Sequence, residues 1–240
     1  MQARLSPASP LIRLVDCIKE QVGVLLVTAK KEELCFESGS LVSGVECRGR
    51  LESGFFQVYA AAGMCRIGLE AGALGRVMRL AQMEDSVELT YCGGETIRVV
   101  IETENGGKKV EFELNTVAEF PEELPPQRSS ALALVELPAL EFSRLCKGLA
   151  HLSDSVTIEV TRKDVRLVVA GDMGGGQVSL RGLQLRAVIT KEVRCEASLG
   201  RLVQFNRAAV LSDTVTLHLH EDAAVQLTYT WPFGVLSFVS

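Results

Sequence analysis

The sequence predicts an α+β protein made of two domains of similar plan. Three observations predict it: a helix-turn-strand unit that recurs along the chain, strand-like segments of alternating polarity between the copies, and a proline-rich segment near the middle. A length of 240 residues is long for one domain and short for three. Hydrophobic residues make up 47% of the chain and charged residues 23%, which is typical of globular proteins and excludes a disordered chain.

The recurring unit is recognised by a short pattern of an acid, a small hydroxyl residue and alternating apolar residues. Residues 152–158 read LSDSVTI, residues 211–217 read LSDTVTL, and residues 83–89 read MEDSVEL. An amphipathic segment precedes each copy, and alternating apolar and polar residues follow it. Each copy therefore predicts a helix, a turn and a strand.

Helical periodicity predicts helices at residues 71–82, 138–151 and 198–209, and a fourth near the N-terminus. Ser9 is predicted to be the N-cap of the first helix, and Pro138 to be the first residue of the third. Each helix has an apolar stripe on one side and two cations elsewhere on its surface. The eight cations are Arg13, Lys19, Arg76, Arg79, Arg144, Lys147, Arg201 and Arg207.

Alternation and β-rich composition predict strands through both halves of the chain. The predicted strands are residues 33–36, 45–51, 55–60, 97–102 and 109–114, then 156–160, 165–170, 177–180, 185–190, 214–218 and 225–230. Glycines at 106–107 and 174–176 predict hairpin turns. Residues 118–130 are rich in Glu, Pro and Ser and have no periodicity, so they predict a linker between domains at residues 1–117 and 131–240.

The residues that would signal catalysis or metal binding do not form a recognised pattern. The seven cysteines are spread singly, without a C-x-x-C pair, which argues against a zinc site or a disulfide scaffold. His218 and His220 would share one face of a strand, but no Cys or carboxylate ligand accompanies them, and they are predicted to be surface residues. The run GDMGGG at 171–176 lacks a following Gly-Lys-Ser/Thr and precedes a strand, whereas a phosphate loop opens a helix.

The sequence therefore predicts a binding protein that has no active site, no metal and no cofactor. An enzyme or small-ligand binder that uses GDMGGG or the histidines stays the alternative. The longest apolar runs are far shorter than the roughly 20 residues of a membrane helix, and no secretory signal is visible. We expect a soluble, intracellular protein with no membrane partner.

Charge distribution bears on the partner more than total charge does. The net charge is −5 and the pI is near 5.4, which taken alone argues against nucleic-acid binding. If the four helices share one side of the molecule, however, their cations form a basic surface while the acids lie elsewhere. Such a surface attracts phosphates without reading bases. An acidic scaffold that makes no contact with DNA is the alternative.

Residues 138–158, PALEFSRLCKGLAHLSDSVTI, closely resemble the third-helix segment of the sliding clamps of the PCNA family, including its Glu-Phe-x-Arg-x-Cys core. Residues 171–180 and 211–217 are similar to their PCNA counterparts, as are the Ser-Gly-Phe at 53–55 and Tyr59. The resemblance covers nearly the whole chain and is weaker in its first 50 residues.

This resemblance implies a DNA-clamp fold, in which three two-domain subunits form a ring with antiparallel sheets outside and the two helices of each domain lining the interior. The eight cations match positions that face DNA in such clamps. Residues 109–117 would pair edge to edge with residues 175–183 of the next subunit. The residues implied at this contact are Val110, Phe112, Leu114, Val178 and Leu180.

The resemblance also implies that residues 118–130 form the interdomain connecting loop, beside which client proteins dock a short hydrophobic motif. The apolar residues available there are Phe120, Leu124, Pro126 and Phe238, although plain loop packing is an equal alternative. The implied partners are double-stranded DNA, DNA polymerases, repair proteins and a clamp loader, and the implied location is the nucleus. The implied role is that of a processivity factor.

A second clamp of the same fold stays open. Residues 45–59 are also similar to the subunits of the heterotrimeric DNA-damage checkpoint clamp. The chain is therefore expected to form either a homotrimer or a heterotrimer with clamp paralogues. Cations on all four helices favour the replication clamp.

Overall fold

In the computed structural model, the structure describes residues 1–40, 44–103, 105–118, 130–172, 174–181 and 186–239. These residues form two compact units. The first contains residues 1–118 and Pro232–Leu236, and the second contains residues 130–231 and 237–239. Both units combine two α-helices with antiparallel sheet, as the α+β prediction requires.

The first unit has nine complete strands, the start of the last strand of the chain (Gly234–Val239) and two helices. Pairing is antiparallel throughout, in the order β5-β1-β7-β8-β9-β6-β2-β3-β4. The elements are β1 (Gln2–Leu5), α1 (Ser9–Ile18), β2 (Val24–Ala29), β3 (Glu33–Ser40), β4 (Val45–Glu52), β5 (Val58–Ala60), β6 (Cys65–Glu70), α2 (Ala71–Met78), β7 (Ser86–Thr90), β8 (Thr96–Glu102) and β9 (Lys109–Val117).

The second unit repeats this plan. Its strands pair in the orders β14-β10-β16-β17 and β13-β12-β11-β15, again all antiparallel. The elements are β10 (Ala131–Pro138), α3 (Ala139–Leu149), β11 (Ser155–Val160), β12 (Val165–Gly171), β13 (Gly174–Leu180), β14 (Arg186–Ile189), β15 (Val193–Ser198), α4 (Leu199–Phe205), β16 (Thr214–His220), β17 (Val225–Trp231) and β18 (Gly234–Val239).

The two helices of each unit pack against each other, α1 on α2 and α3 on α4. Their apolar stripes are buried, as the helical periodicity predicts, because this is the side that each helix turns towards its sheet. In α1, for example, Leu14, Val15 and Ile18 are at most 3% exposed. The equivalent stripe of α3 buries Phe142, Cys146 and Leu149.

At the start of each helix, a backbone N–H group donates a hydrogen bond to a carbonyl in the turn that follows the partner helix. The N–H of Ala8, just before α1, donates to the carbonyl of Asp85 at 2.7 Å, and that of Ala139 in α3 donates to Asp213 at 2.8 Å. The two other such bonds are Leu199 N–H to Asp154 O at 2.8 Å and Ala71 N–H to Gly23 O at 2.9 Å. These four bonds, here called the helix tethers, satisfy one N–H group at the start of each helix.

The helix tethers fall at the acid of the recurring pattern. The three Asp carbonyls belong to the three copies of the pattern, and Gly23 occupies the matching place after α1. In one copy, the serine that precedes the acid supports the same turn: Ser212 Oγ donates to Thr230 O at 2.7 Å and accepts from the N–H of Thr214 at 3.3 Å. The pattern is therefore structural.

Several boundaries differ from the sequence prediction. Ser9 is not the N-cap of α1: the capping position is Ala8, without a side-chain bond, and Ser9 N–H donates to Met83 O. Pro138 ends β10 in an extended conformation and precedes the first residue of α3. Residues 174–176 are not a turn, because they pair with β12 as the start of β13.

The other differences concern strands. Residues 55–60 are only partly strand, since a 3-10 turn at Ser53–Phe55 precedes the short β5. The prediction missed several strands, which are β1, β2, β6, β10 and β15. Within the described residues, no helix has both the length and the apolar character to cross a membrane.

Candidate nucleic-acid interface

The cations of α1 differ from each other in exposure. Arg13 is exposed on the side opposite the buried stripe. Lys19 does not present a free charge there: its side chain is only 12% exposed and its ammonium is paired with the Asp16 carboxylate. Its methylene stem lies over Gly75 of α2, where a Cβ would stand 2.7 Å from Lys19 Cδ. Lys19 is therefore mainly a packing residue between the two helices.

The cations of α2 are both exposed. Arg76 lies 3.4 Å from a carboxylate oxygen of Glu70, the residue that precedes the helix. Because both partners are more than half exposed, this pair is weak and solvent-screened. Arg76 and Arg79 therefore remain accessible to a bound polyanion.

In the second unit, α3 has the longest exposed basic stripe. Arg144 and Lys147 are exposed one turn apart, and His151 follows one turn later. Leu140, which is 69% exposed, begins the same stripe. On α4, Arg201 is half-buried beside the Ser198 N-cap, whose hydroxyl accepts from the Arg201 N–H, and Arg207 is exposed in the 3-10 turn that continues the helix.

The sequence reasoning counted cations and missed the acids that lie among them. Asp16 is exposed on α1 three residues after Arg13, and Glu20 is exposed four residues after Asp16, in the turn that follows the helix. Residues three or four apart are neighbours on a helix surface. The positions of these acids could be read from the sequence. Adding their negative charges to those of the cations would have revealed the mixed charge on this side of α1.

Two strands have an edge whose backbone groups do not pair with another strand among the described residues. Strand β9 pairs with β8 along its length, but with β6 only through Thr116 and Val117. Strand β13 pairs only with β12 among the described strands. The five residues predicted at a subunit contact are all half-exposed: Val110, Phe112, Leu114, Val178 and Leu180.

The residues predicted to bind partners divide into two groups. Phe120, Leu124 and Pro126 lie outside the described residues. Phe238 is a core residue in this structure: it is fully buried, and its ring stacks on Phe205 of α4 with centroids 4.9 Å apart. Because the ring faces the core, it offers no surface to a docked segment, and this corrects the prediction.

The histidine prediction also needs correction. His220 is not a surface residue, since it is only 4% exposed. Its ring lies parallel to that of His218, with centroids 6.4 Å apart, and its Nε2 has no hydrogen-bond partner among the described residues. Burial, and then the neighbouring His220, lower the pKa of His218 below its usual value. In the described part of the chain, no group of three potential metal ligands includes either histidine.

Comparison with known proteins agrees with this geometry. Residues 1–119 match the N-terminal domain of proliferating cell nuclear antigen, and residues 127–238 match its C-terminal domain. The chain belongs to the proliferating cell nuclear antigen (PCNA) family of DNA sliding clamps. This confirms the resemblance that the sequence showed, together with its two-domain clamp fold.

Individual PCNA relatives match over almost the full length of both chains. Proliferating cell nuclear antigen 2 of Drosophila melanogaster is 26% identical, over 95% of this chain and 91% of its own. The proliferating cell nuclear antigens of Chaetomium thermophilum and Dictyostelium discoideum are 27% and 25% identical, over 96% and 95% of this chain and 92% and 93% of their own. The similarity is therefore global and extends through both units.

Proposed function

We propose that this PCNA-family chain is one subunit of a ring that encircles duplex DNA without sequence specificity and tethers DNA polymerases and repair proteins to it. The observation that carries the proposal is the match of both PCNA domains across nearly the whole chain. Such a clamp acts as a processivity factor, and it does so by binding alone, without a catalytic site or cofactor.

The helix surfaces support the DNA contact. Each of the four helices has at least one exposed or half-exposed cation, and cations of this kind bind phosphates in a sequence-independent and salt-dependent manner. The net charge of −5 does not exclude this contact, because DNA binding depends on the charges near the helix surface and not on the total charge of the chain. Lys19 is removed from the eight cations proposed to face DNA, because its ammonium is already paired with the Asp16 carboxylate.

The unpaired edges of β9 and β13 support assembly. Exposed strand edges are prone to pair with another chain, and pairing β9 of one subunit with β13 of the next would cover both. Three copies joined in this way form the proposed homotrimer. The clients are proposed to carry short hydrophobic docking motifs, and the protein to act in the nucleus with a clamp loader.

The deciding experiment is the solution mass at micromolar concentration. We expect three times the 26.0 kDa chain mass, and a monomer from either Phe112→Glu or Val178→Glu, because a carboxylate would be buried at the joined edges. Val58→Glu is the matched control, since Val58 is 43% exposed on the short edge strand β5, outside the proposed contact.

A wild-type chain that stays monomeric alone and also with duplex DNA would contradict the homotrimer. If such a monomer formed a three-chain complex only with two different clamp-like chains, the checkpoint-type heterotrimer would replace it. The named relatives are all PCNA proteins and do not favour that alternative.

A further inference from the structure

The helix tethers define which residue of α3 is structurally equivalent to each residue of α1. Ala8 and Ala139 donate equivalent hydrogen bonds to Asp85 and Asp213. Counting from these two residues, every buried position of α1 except Cys17 falls on a buried or half-buried position of α3. The pairs are Leu11 with Phe142, Ile12 with Ser143, Leu14 with Leu145, Val15 with Cys146 and Ile18 with Leu149.

In this register, the exposed stripes of the two helices carry different charges. Arg13 is equivalent to Arg144, and both are exposed. The next two positions are Asp16 on α1 and Glu20 in the turn after it, but Lys147 on α3 and His151 in the turn after that helix. These exposed positions thus carry one cation and two carboxylates at α1, but two cations and an imidazole at α3, where the carboxylate of Glu141, three residues before Arg144, is half-buried.

The carboxylates of α1 lie close enough to its cation to matter. Side chains three or four residues apart on a helix are about 5–6 Å apart at Cβ, which is within the screening length of about 8 Å at physiological salt. Asp16 also pairs with Lys19, the other cation of α1. A phosphate that approaches Arg13 therefore meets a surface without excess positive charge, whereas one that approaches Arg144 meets a basic surface.

We infer that the two helices contribute unequally to DNA binding: α3 supplies a phosphate contact through Arg144 and Lys147, and Asp16 keeps the equivalent surface of α1 from supplying one. This inference rests on the proposed clamp function and names which helix of each subunit carries the contact. Asp16 acts as a negative determinant, because its carboxylate neutralises Lys19 and stands at the position where α3 has Lys147.

The test is the affinity of the assembled protein for a short linear DNA duplex of mixed sequence, measured by fluorescence anisotropy over a series of salt concentrations. Each lost phosphate contact lowers the slope of log affinity against log salt by about one. Arg144→Ala should lower it by about one per subunit contact, while Arg13→Ala, its structural counterpart, should lower it by less than half as much.

Charge exchange tests the role of Asp16. Asp16→Lys should tighten binding and steepen the salt dependence, and Lys147→Asp should do the opposite. Glu196→Lys is the matched control, because it makes the same charge change as Asp16→Lys on the exposed side of β15. Solution mass and thermal unfolding of each variant show that assembly and folding are retained.

The outcomes separate the inference from the function on which it rests. Equal losses from Arg13→Ala and Arg144→Ala, or equal gains from Asp16→Lys and Glu196→Lys, would overturn the inference and leave the clamp function standing. If wild-type protein shows no salt-dependent duplex binding, the proposed function and the inference both fail.

Discussion

Gly171 lies where the end of β12 runs against the turn that follows α3. A Cβ at this position would stand 2.1 Å from the carbonyl oxygen of Leu152, a backbone atom that cannot move aside. The neighbouring carbonyl of Ala170 accepts a hydrogen bond from Ser153 Oγ at 3.1 Å. The first glycine of the GDMGGG run therefore permits the close approach of two backbones, which is a structural role and needs no ligand.

At this position we expect Gly171→Ala to lower the free energy of unfolding by about 2 kcal/mol, because the added methyl group forces the turn and the strand apart. The measurement is urea unfolding followed by circular dichroism. Gly148→Ala is the control: no atom lies within 4 Å of a Cβ there, and alanine in α3 should stabilise by up to about 1 kcal/mol. A neutral Gly171→Ala would show that the turn yields to the methyl group.

At the scale of the element, a helix in this protein is positioned by its partner's turn as much as by its own sequence. α1, α2 and α3 have no side-chain N-cap, and only α4 has one, through Ser198. The helix tethers supply what the caps do not. The carbonyl of Asp213 accepts the tether of α3, and it lies beside Ser212 in the turn after α4. The hydroxyl of Ser212 stabilises that turn and therefore also helps to hold the start of α3.

We therefore expect Ser212→Ala to destabilise the protein by about 1 kcal/mol, the usual net worth of a hydrogen bond between protein groups. Amide hydrogen exchange should show the loss in α3 as well as in β16, since the tether joins the two. Ser212→Thr keeps the hydroxyl and should retain most of the stability. If Ser212→Thr and Ser212→Ala were equally destabilising, the hydroxyl would not be what holds this turn.

At the scale of the whole molecule, stability should fall in two stages as the pH is lowered. His218 has a lowered pKa because burial and His220 disfavour its charged form. The unfolded chain then binds a proton that the folded chain does not, so stability decreases as the pH falls below about 6.5. Asp164 has a lowered pKa because Thr161 and two arginines stabilise its carboxylate, so its contribution is lost only below about pH 4.

The urea midpoint of the wild type should therefore be lower at pH 5 than at pH 7.5, and His218→Gln should remove much of that difference. Asp164→Asn should instead lower stability at both pH values and leave the difference between them unchanged, because the Asp164 carboxylate is ionised throughout this range. An equal pH dependence in wild type and His218→Gln would assign the acid sensitivity to other groups.

Much of the architecture follows from the sequence, because helical periodicity and the recurring pattern are local signals. All four helices were predicted, and errors at their starts amount to one residue, as at Pro138. Of the missed strands, β1 has only four residues and is stabilised by pairing with neighbours distant in sequence, whereas the alternation of β15 was visible in the sequence and was overlooked. Tertiary context also decided the side-chain roles that were misjudged, those of Lys19, Phe238 and His220.

The helix tethers have a consequence for how far such sequences can diverge. Every tether is accepted by a backbone carbonyl, which any residue can provide, and Gly23 fills the place that aspartate takes in the other three copies. Selection can therefore replace the residues of the pattern one by one while the geometry of the helix pairs persists. A related helix-turn-strand unit could therefore lose every residue of the pattern, so that its sequence shows no repeat, and still begin each helix at the turn that follows its partner helix.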